Sequence, residues 1–163
     1  MTYFIIIRGP LGVGKSTVAK ALAKELNAKY ISIDEKLAEH KLDFIPKDAD
    51  CISKENFIKV NQLILPLVKN SLSEDLPVIL DGNFYHQEQI DDLIENLHFQ
   101  NHLFNLKAPL STCIKRDNNR EKTLGKDATT AVYNLVNRFS IGIDIETDGK
   151  NVPEVVREIL EKL

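Results

Sequence analysis

The chain has no tryptophan, one methionine and only two cysteines among its 163 residues. Cys51 and Cys113 lie far apart and match no metal-ligand or redox spacing, so the sequence points to two free thiols in a reducing compartment, not to a stapled secreted scaffold. No apolar run approaches the ~18 residues that a bilayer span needs. The stretch Tyr3 to Ile7 is too short for a signal-peptide core and runs straight into Arg8. A cytoplasmic protein with no membrane partner is the expectation. An excess of basic charge is also missing: 21 Lys and Arg against 24 Asp and Glu give a net charge of −3, which weighs against a dedicated nucleic-acid binder. No repeat or low-complexity segment appears. Between Glu35 and Lys69 there is not one arginine.

What is present is ordinary globular material, with 43% hydrophobic and 28% charged residues. A chain of this length suits one domain, residues 1–163, and buries roughly 68–70% of its unfolded surface. Short apolar runs alternate with longer amphipathic ones. Strands are expected at 3–7, 30–33, 77–80, 101–106 and 141–145. Helices are expected at 15–26, 53–72 (bent at Pro66), 87–97, 110–120, 127–139 and 153–163. Strands that read as unbroken Val/Ile/Leu runs are buried on both faces. Their alternation with helices implies an α/β fold with a parallel sheet and right-handed crossovers. Ligands bind such sheets at the carboxyl ends of the strands, which draws attention to residues 8–16, Asp34 and Asp81.

Three of the seven glycines fall between positions 9 and 14. The stretch Gly9-Pro10-Leu11-Gly12-Val13-Gly14-Lys15-Ser16, followed by Thr17, fits G-x-x-x-x-G-K-[ST]. Glycines bring backbone N–H groups to a phosphate with no Cβ in the way. The following helix adds the positive end of its dipole. Lys15 supplies charge for the β/γ-phosphates and Ser16 a hydroxyl for Mg²⁺. The required context, a strand before and a helix after, is present.

Asp34 closes "YISIDE". It can take a proton from a substrate hydroxyl, help hold the metal, or cap a helix at 35–40. Asp81 closes the strand in "PVILDGNF", where a carboxylate can enter a Mg²⁺ shell or simply begin an Asp-Gly turn. Which of the two carboxylates is the general base stays open at this stage. Asn83 is a weaker candidate for a polar substrate contact. Arg116 and Arg120, four apart, are expected on one helix face, where they could close over a transferring phosphoryl group. His98 and His102 lack a third metal ligand. Phe44, Ile45 and Phe57 could line an acceptor pocket, although core packing is the simpler expectation.

Gly9 to Thr17, Asp34, "VILDGN" and the "KRDNNR" segment, in that order along nearly the whole chain, resemble the small P-loop kinases. That group includes polynucleotide kinase domains, chloramphenicol phosphotransferase, gluconate kinase and shikimate kinase. The resemblance implies a P-loop NTPase fold, a five-stranded parallel sheet of order 2-3-1-4-5 with helices on both faces. It implies ATP and Mg²⁺ as cofactors, with Gly9 to Thr17, Arg116 and Asn151 on the nucleotide and Ser16 and Asp81 on the metal. Asp34 would be the general base, Lys15 a catalytic cation, and Arg116 or Arg120 the lid arginine. The loop Glu146 to Asn151 would border the adenine. A substrate-side cap at about 41–70 and a lid at about 116–128 complete the expectation. The second glycine-rich motif of a shikimate kinase is missing, and so is an arginine-bearing monophosphate-binding insertion. A small-molecule hydroxyl acceptor is therefore favoured over a phosphate-bearing one. An NTP-dependent switch and a 5′-hydroxyl polynucleotide kinase are the rival readings. The protein is expected to be a monomer or a homodimer.

Overall fold

The computed structural model describes residues 2–163. Its centre is β1 (Tyr3–Arg8), an apolar run in which Phe4 to Ile7 are fully buried. It pairs in parallel with β3 (Val78–Gly82) on one side and β4 (Gln100–Lys107) on the other. The shorter strands β2 (Lys29–Ser32) and β5 (Ile143–Glu146) form the edges, giving the order β2-β3-β1-β4-β5, all parallel. This is the order that the resemblance implied. The register aligns Ser32 with Asp81 and Arg8 with Gly82, so the strand ends converge on one edge of the sheet.

Alternation along β1 divides the core in two. Phe4 and Ile6 pack under α3 (Lys54–Ser73) and α4 (Gln87–Leu97), against Phe57, Val60 and Leu93. Ile5 and Ile7 pack under α1 (Lys15–Glu25) and α7 (Val152–Leu160), against Val18, Leu22, Val155 and Ile159. Burying an apolar side chain of this size contributes roughly 1.5–3 kcal/mol, so both layers fix the strand that ends in the glycine-rich loop. Pro66 lies inside α3 and does not end it.

Several boundaries differ from the sequence reading. β2 stops at Ser32, and Asp34 falls in the first turn of α2 (Ile33–Glu39). Asp34 is not the cap: the Ser32 hydroxyl accepts from the Glu35 N–H at 3.2 Å. Asp81 and Gly82 are strand residues paired with Ile7 and Arg8, not a turn. Helix α5 (Leu110–Asn118) stops before Arg120, so Arg116 and Arg120 do not share a helix face. It is followed by a loop and then α6 (Lys126–Val136). β5 starts later than expected because Gly142 turns the chain in beside β4. Its φ is +82°, and a Cβ there would collide with the Leu103 carbonyl.

The largest departure is Arg8, which the sequence left unassigned. It is completely buried at the end of β1. Its guanidinium donates to the carbonyls of Val136 (2.7 Å), Phe84 (3.3 Å) and Phe139 (3.4 Å) and to Asn105 Oδ1 (2.8 Å). It also lies 4.2 Å from the Phe139 ring centroid. Burial lowers its pKa to about 10, against a smaller upward pull from Asp144.

Candidate active site

The loop between β1 and α1 begins at Gly9. A Cβ at Gly12 (φ +76°) would collide with the Cys113 carbonyl of α5, so only glycine lets the loop lie this close. Gly14 (φ +98°) is the N-cap of α1, and no other atom lies within 4 Å of where its Cβ would stand. No side chain caps this helix. Its first-turn N–H groups therefore face open space with the dipole's positive end behind them, which is the arrangement an anion needs.

Lys15 is buried, with Nζ donating to the Pro10 carbonyl at 3.1 Å. Burial lowers its pKa; Asp81 and Asp34 raise it and Arg120 lowers it further. One ammonium thus senses both carboxylates and an arginine. Asp81 Oδ2 accepts from the Tyr30 hydroxyl at 2.8 Å, while Oδ1 is buried without a partner. An orphaned carboxylate oxygen is costly unless a cation or water completes it. With the Ser16 hydroxyl at the start of α1, these oxygen donors fit the hard-cation chemistry of Mg²⁺. Tyr30 was not singled out in the sequence. Burial raises its phenol pKa, and the adjoining Asp81 raises it more. The only sequence signal was its position two residues before the end of a strand.

Asp34 is exposed in the first turn of α2. Crowding by protein raises its pKa, Lys15 pulls it back down, and Asp81 and Glu35 add to the rise. The Lys15 ammonium is near enough to act on it.

The arginines divide their roles. Arg116 Nη1 donates to the Val13 carbonyl (3.1 Å) and Thr147 Oγ1 (3.0 Å), and Nη2 donates to the Thr147 carbonyl (2.9 Å). It ties the glycine-rich loop to the segment after β5. Arg120 lies in the loop after α5, 3.7 Å from Asp117 Oδ1, with its side chain 44% exposed. Its charge also acts on Lys15. Asp117 is fully buried, and Oδ2 accepts from Thr123 Oγ1 (2.8 Å), Gly125 N–H (3.0 Å) and Leu124 N–H (3.1 Å). Burial alone would raise its pKa; these donors and Arg120 outweigh it and hold the carboxyl below its usual value. One carboxylate therefore organises the loop between α5 and α6.

Two cavities flank this centre. The first, about 350 Å³, is lined by Val13, Gly14, Thr17, Arg116, Thr147 and Asn151, among others. The loop after β5 thus borders the glycine-rich loop, although the Asn151 side chain is engaged in capping α7, accepting from the Glu154 N–H at 3.0 Å. The second, about 510 Å³, lies on the Asp34 side and includes Leu11, Ile45, Asn83, Tyr85 and Val132 in its wall. Phe57 is a core residue. Phe44 and Ile45, expected to pack in the core, are 55% and 56% exposed, and Ile45 lines the second cavity.

Residues 4–139 match the family described as AAA domain. A provisionally named adenylate kinase of Pyrococcus furiosus is 29% identical over 96% of this chain and 81% of its own. A shikimate kinase of Bacillus cereus is 23% identical over 98% of this chain and 97% of its own. In three dimensions, a sugar kinase from Janibacter sp. HTCC2649 superposes with a TM-score of 0.78, covering 99% of this chain and 94% of that one at 14% identity, a likeness of fold.

Proposed function

The chain belongs to the AAA domain family and is a small P-loop kinase, an ATP-dependent phosphotransferase; from that premise we propose that it transfers the γ-phosphoryl of Mg-ATP to a hydroxyl of a small molecule. The observation that carries this reading is the position of Asp34. It lines the second cavity and interacts with Lys15 of the phosphate cradle. A base held between a nucleotide cradle and a separate acceptor cavity suits transfer between two ligands.

In this mechanism the open N–H groups after Gly12 and Gly14 cradle the β- and γ-phosphates, and Lys15 neutralises their charge. Ser16 and Asp81 would hold Mg²⁺, which when bound would neutralise further charge on the phosphate oxygens. Tyr30 orients Asp81. Arg116 buttresses the cradle and forms a wall of the base cavity, while Arg120 closes over the transferring group from a lid at 116–128. Asp34 aligns the acceptor hydroxyl and takes its proton. The cap at 41–70 forms the acceptor's outer wall.

The test is incubation with γ-labelled ATP, Mg²⁺ and a panel of hydroxyl compounds. ADP release that depends on an acceptor, with label in that acceptor, is the expected result. ADP release indifferent to every acceptor, accompanied by nucleotide-dependent binding of another protein, supports the switch reading instead.

A further inference from the structure

Just beyond β3 the chain sets two polar side chains, Asn83 and Tyr85, on the wall of the 510 Å³ cavity, each only 8% exposed. Phe84 between them turns the backbone at φ +47°, is fully buried, and gives its carbonyl to Arg8 Nε at 3.3 Å. Tyr85 is held by edge-on contacts with the rings of Phe57 and His86, at centroid distances of 5.2 and 5.0 Å. Its hydroxyl oxygen accepts from the Ile52 N–H at 3.2 Å, and His86 Nε2 donates to the Ile52 carbonyl at 2.8 Å. The Tyr85 hydroxyl proton has no acceptor among the described residues. Asn83 Oδ1 is closed off from solvent without a partner, whereas Nδ2 is not closed off and makes no hydrogen bond among the described residues. The polar atom that Asn83 can offer a ligand is therefore its donor.

Two neutral donors are thus fixed in place and left without acceptors, an arrangement that is costly until an oxygen completes it. Burial first, then the neighbouring Cys51 and Asp34, raise the phenol pKa, so Tyr85 keeps its proton. Neither sign of charge is called for on the ligand. The charged side chains lining the wall are carboxylates, Asp34, Asp43 and Asp50, which oppose an anion. Lys15 and Arg138 act on Asp34 and Cys51 from outside the wall and offset the pull on a cation. We propose that Asn83 Nδ2 and the Tyr85 hydroxyl form a two-donor subsite for a second, uncharged oxygen of the acceptor, a hydroxyl or a carbonyl. Asp34 is near enough for its charge to act on the Tyr85 phenol, so this oxygen lies close to the reacting hydroxyl. The acceptor's body rests on the apolar wall of Leu37, Ile45, Val132 and Leu135. The reacting hydroxyl oxygen forms a bond to the γ-phosphorus as the bond from that phosphorus to the β–γ bridging oxygen breaks. ADP leaves with the electron pair, and the hydroxyl proton passes to Asp34. This inference rests on the kinase reading above.

The test uses primary alcohols that differ only at the carbon next to the hydroxyl-bearing one. The scaffolds are 3-phenylpropan-1-ol and octan-1-ol, and that carbon carries hydrogen, a hydroxyl, a ketone oxygen, an ammonium or a carboxylate. Label transfer from γ-labelled ATP is the readout. The diol and the hydroxyketone should show kcat/KM at least tenfold above the plain alcohol, the ammonium form and the carboxylate form. In Asn83→Leu, which removes the donor at similar volume, the ratio of diol to plain alcohol should fall at least fivefold. Damage to the fold alone would lower both alcohols alike and leave that ratio as it was. Tyr85→Phe, which also deprives the Ile52 N–H of its partner, is read by the same ratio and should move it the same way. No preference for the oxygen-bearing forms, a preference for the ammonium or the carboxylate form, or an unchanged ratio in either folded variant overturns the inference. Calorimetry with Mg-ATP keeps the two failures apart. Heat from the wild type and none from Lys15→Ala, with no transfer to any probe, overturns the acceptor assignment and leaves the nucleotide reading standing; no heat from the wild type removes both.

Discussion

On the cradle side of Lys15 the exposed-loop chemistry is braced by the protein itself. The Val13 carbonyl is held by Arg116 and Thr147, Lys15 rests on Pro10, and Asp81 is steadied by Tyr30. Across Asp34, the cavity wall is mostly apolar, with the carboxylates of Asp34, Asp43 and Asp50 and the half-exposed Ile45. The first region is assembled before any ligand arrives, so its geometry costs little at the moment of reaction. The second has no comparable bracing of its carboxylates. In the proposed mechanism the phosphate chemistry stays fixed while the acceptor side sets specificity.

The largest test of this contrast is at the boundary itself. Asp34→Asn should lower turnover by about 10²–10⁴ with the fold intact. The raised Asp34 pKa puts the acid limb of kcat/KM above the ordinary carboxylate range: activity is lost as pH falls and the base protonates, and the limb disappears in the variant. Folding also favours the protonated carboxyl, a contribution that is full below the unfolded pKa and declines as pH rises through the folded one. The melting temperature of Asp34→Asn at neutral pH should therefore not fall. A variant that kept wild-type turnover would remove Asp34 from the reaction. Next, Lys15→Ala should reduce transfer by roughly 10²–10³ and abolish Mg-ATP heat in calorimetry. Nucleotide binding at wild-type strength would mean that the cradle acts without its ammonium.

Gly12→Ala should disturb the braced side as a structure, through collision with the Cys113 carbonyl and a disfavoured φ. A loss of about 1–3 kcal/mol in urea unfolding is expected, together with weaker nucleotide binding. Tyr30→Phe leaves Asp81 Oδ2 unpaired and should cost about 1 kcal/mol, visible as a higher Mg²⁺ requirement. The smallest effect belongs to the open side. Ile45→Ser, at an exposed position, should leave stability within about 0.5 kcal/mol and alter only the acceptor KM. A large stability loss there would make that wall part of the core and erase the contrast.

The braced side was the more legible in sequence, and for a physical reason. Its chemistry is local: Gly12, Gly14, Lys15 and Ser16 act together because they are neighbours in the chain, and Asp81 was found because the strand before it is strongly apolar. The sheet order came from the resemblance, not from the periodicity. What escaped notice depends on contacts across the fold. Arg116 grips Val13, 103 residues away, so a helix-spacing argument wrongly paired it with Arg120. Arg8 meets Val136 across 128 residues, and its local sequence says nothing of burial. Asp34 was found by residue type but set at a strand end, because Ser32 had already taken the cap and started the helix early. Ile45 was misjudged because hydrophobicity alone does not distinguish a core residue from one on an open cavity wall.

Arg8 sits one residue before the glycine-rich loop, yet it fastens carbonyls at and just beyond the far end of α6, the helix whose Ala128, Ala131, Val132 and Leu135 help line the 510 Å³ cavity. That bolt grips backbone, which is indifferent to side-chain identity. Successive substitutions along the lining face of α6 can therefore redraw what the enzyme accepts while the helix stays anchored to the catalytic strand. In a lineage, the substrate range can drift without the scaffold having to be rebuilt each time.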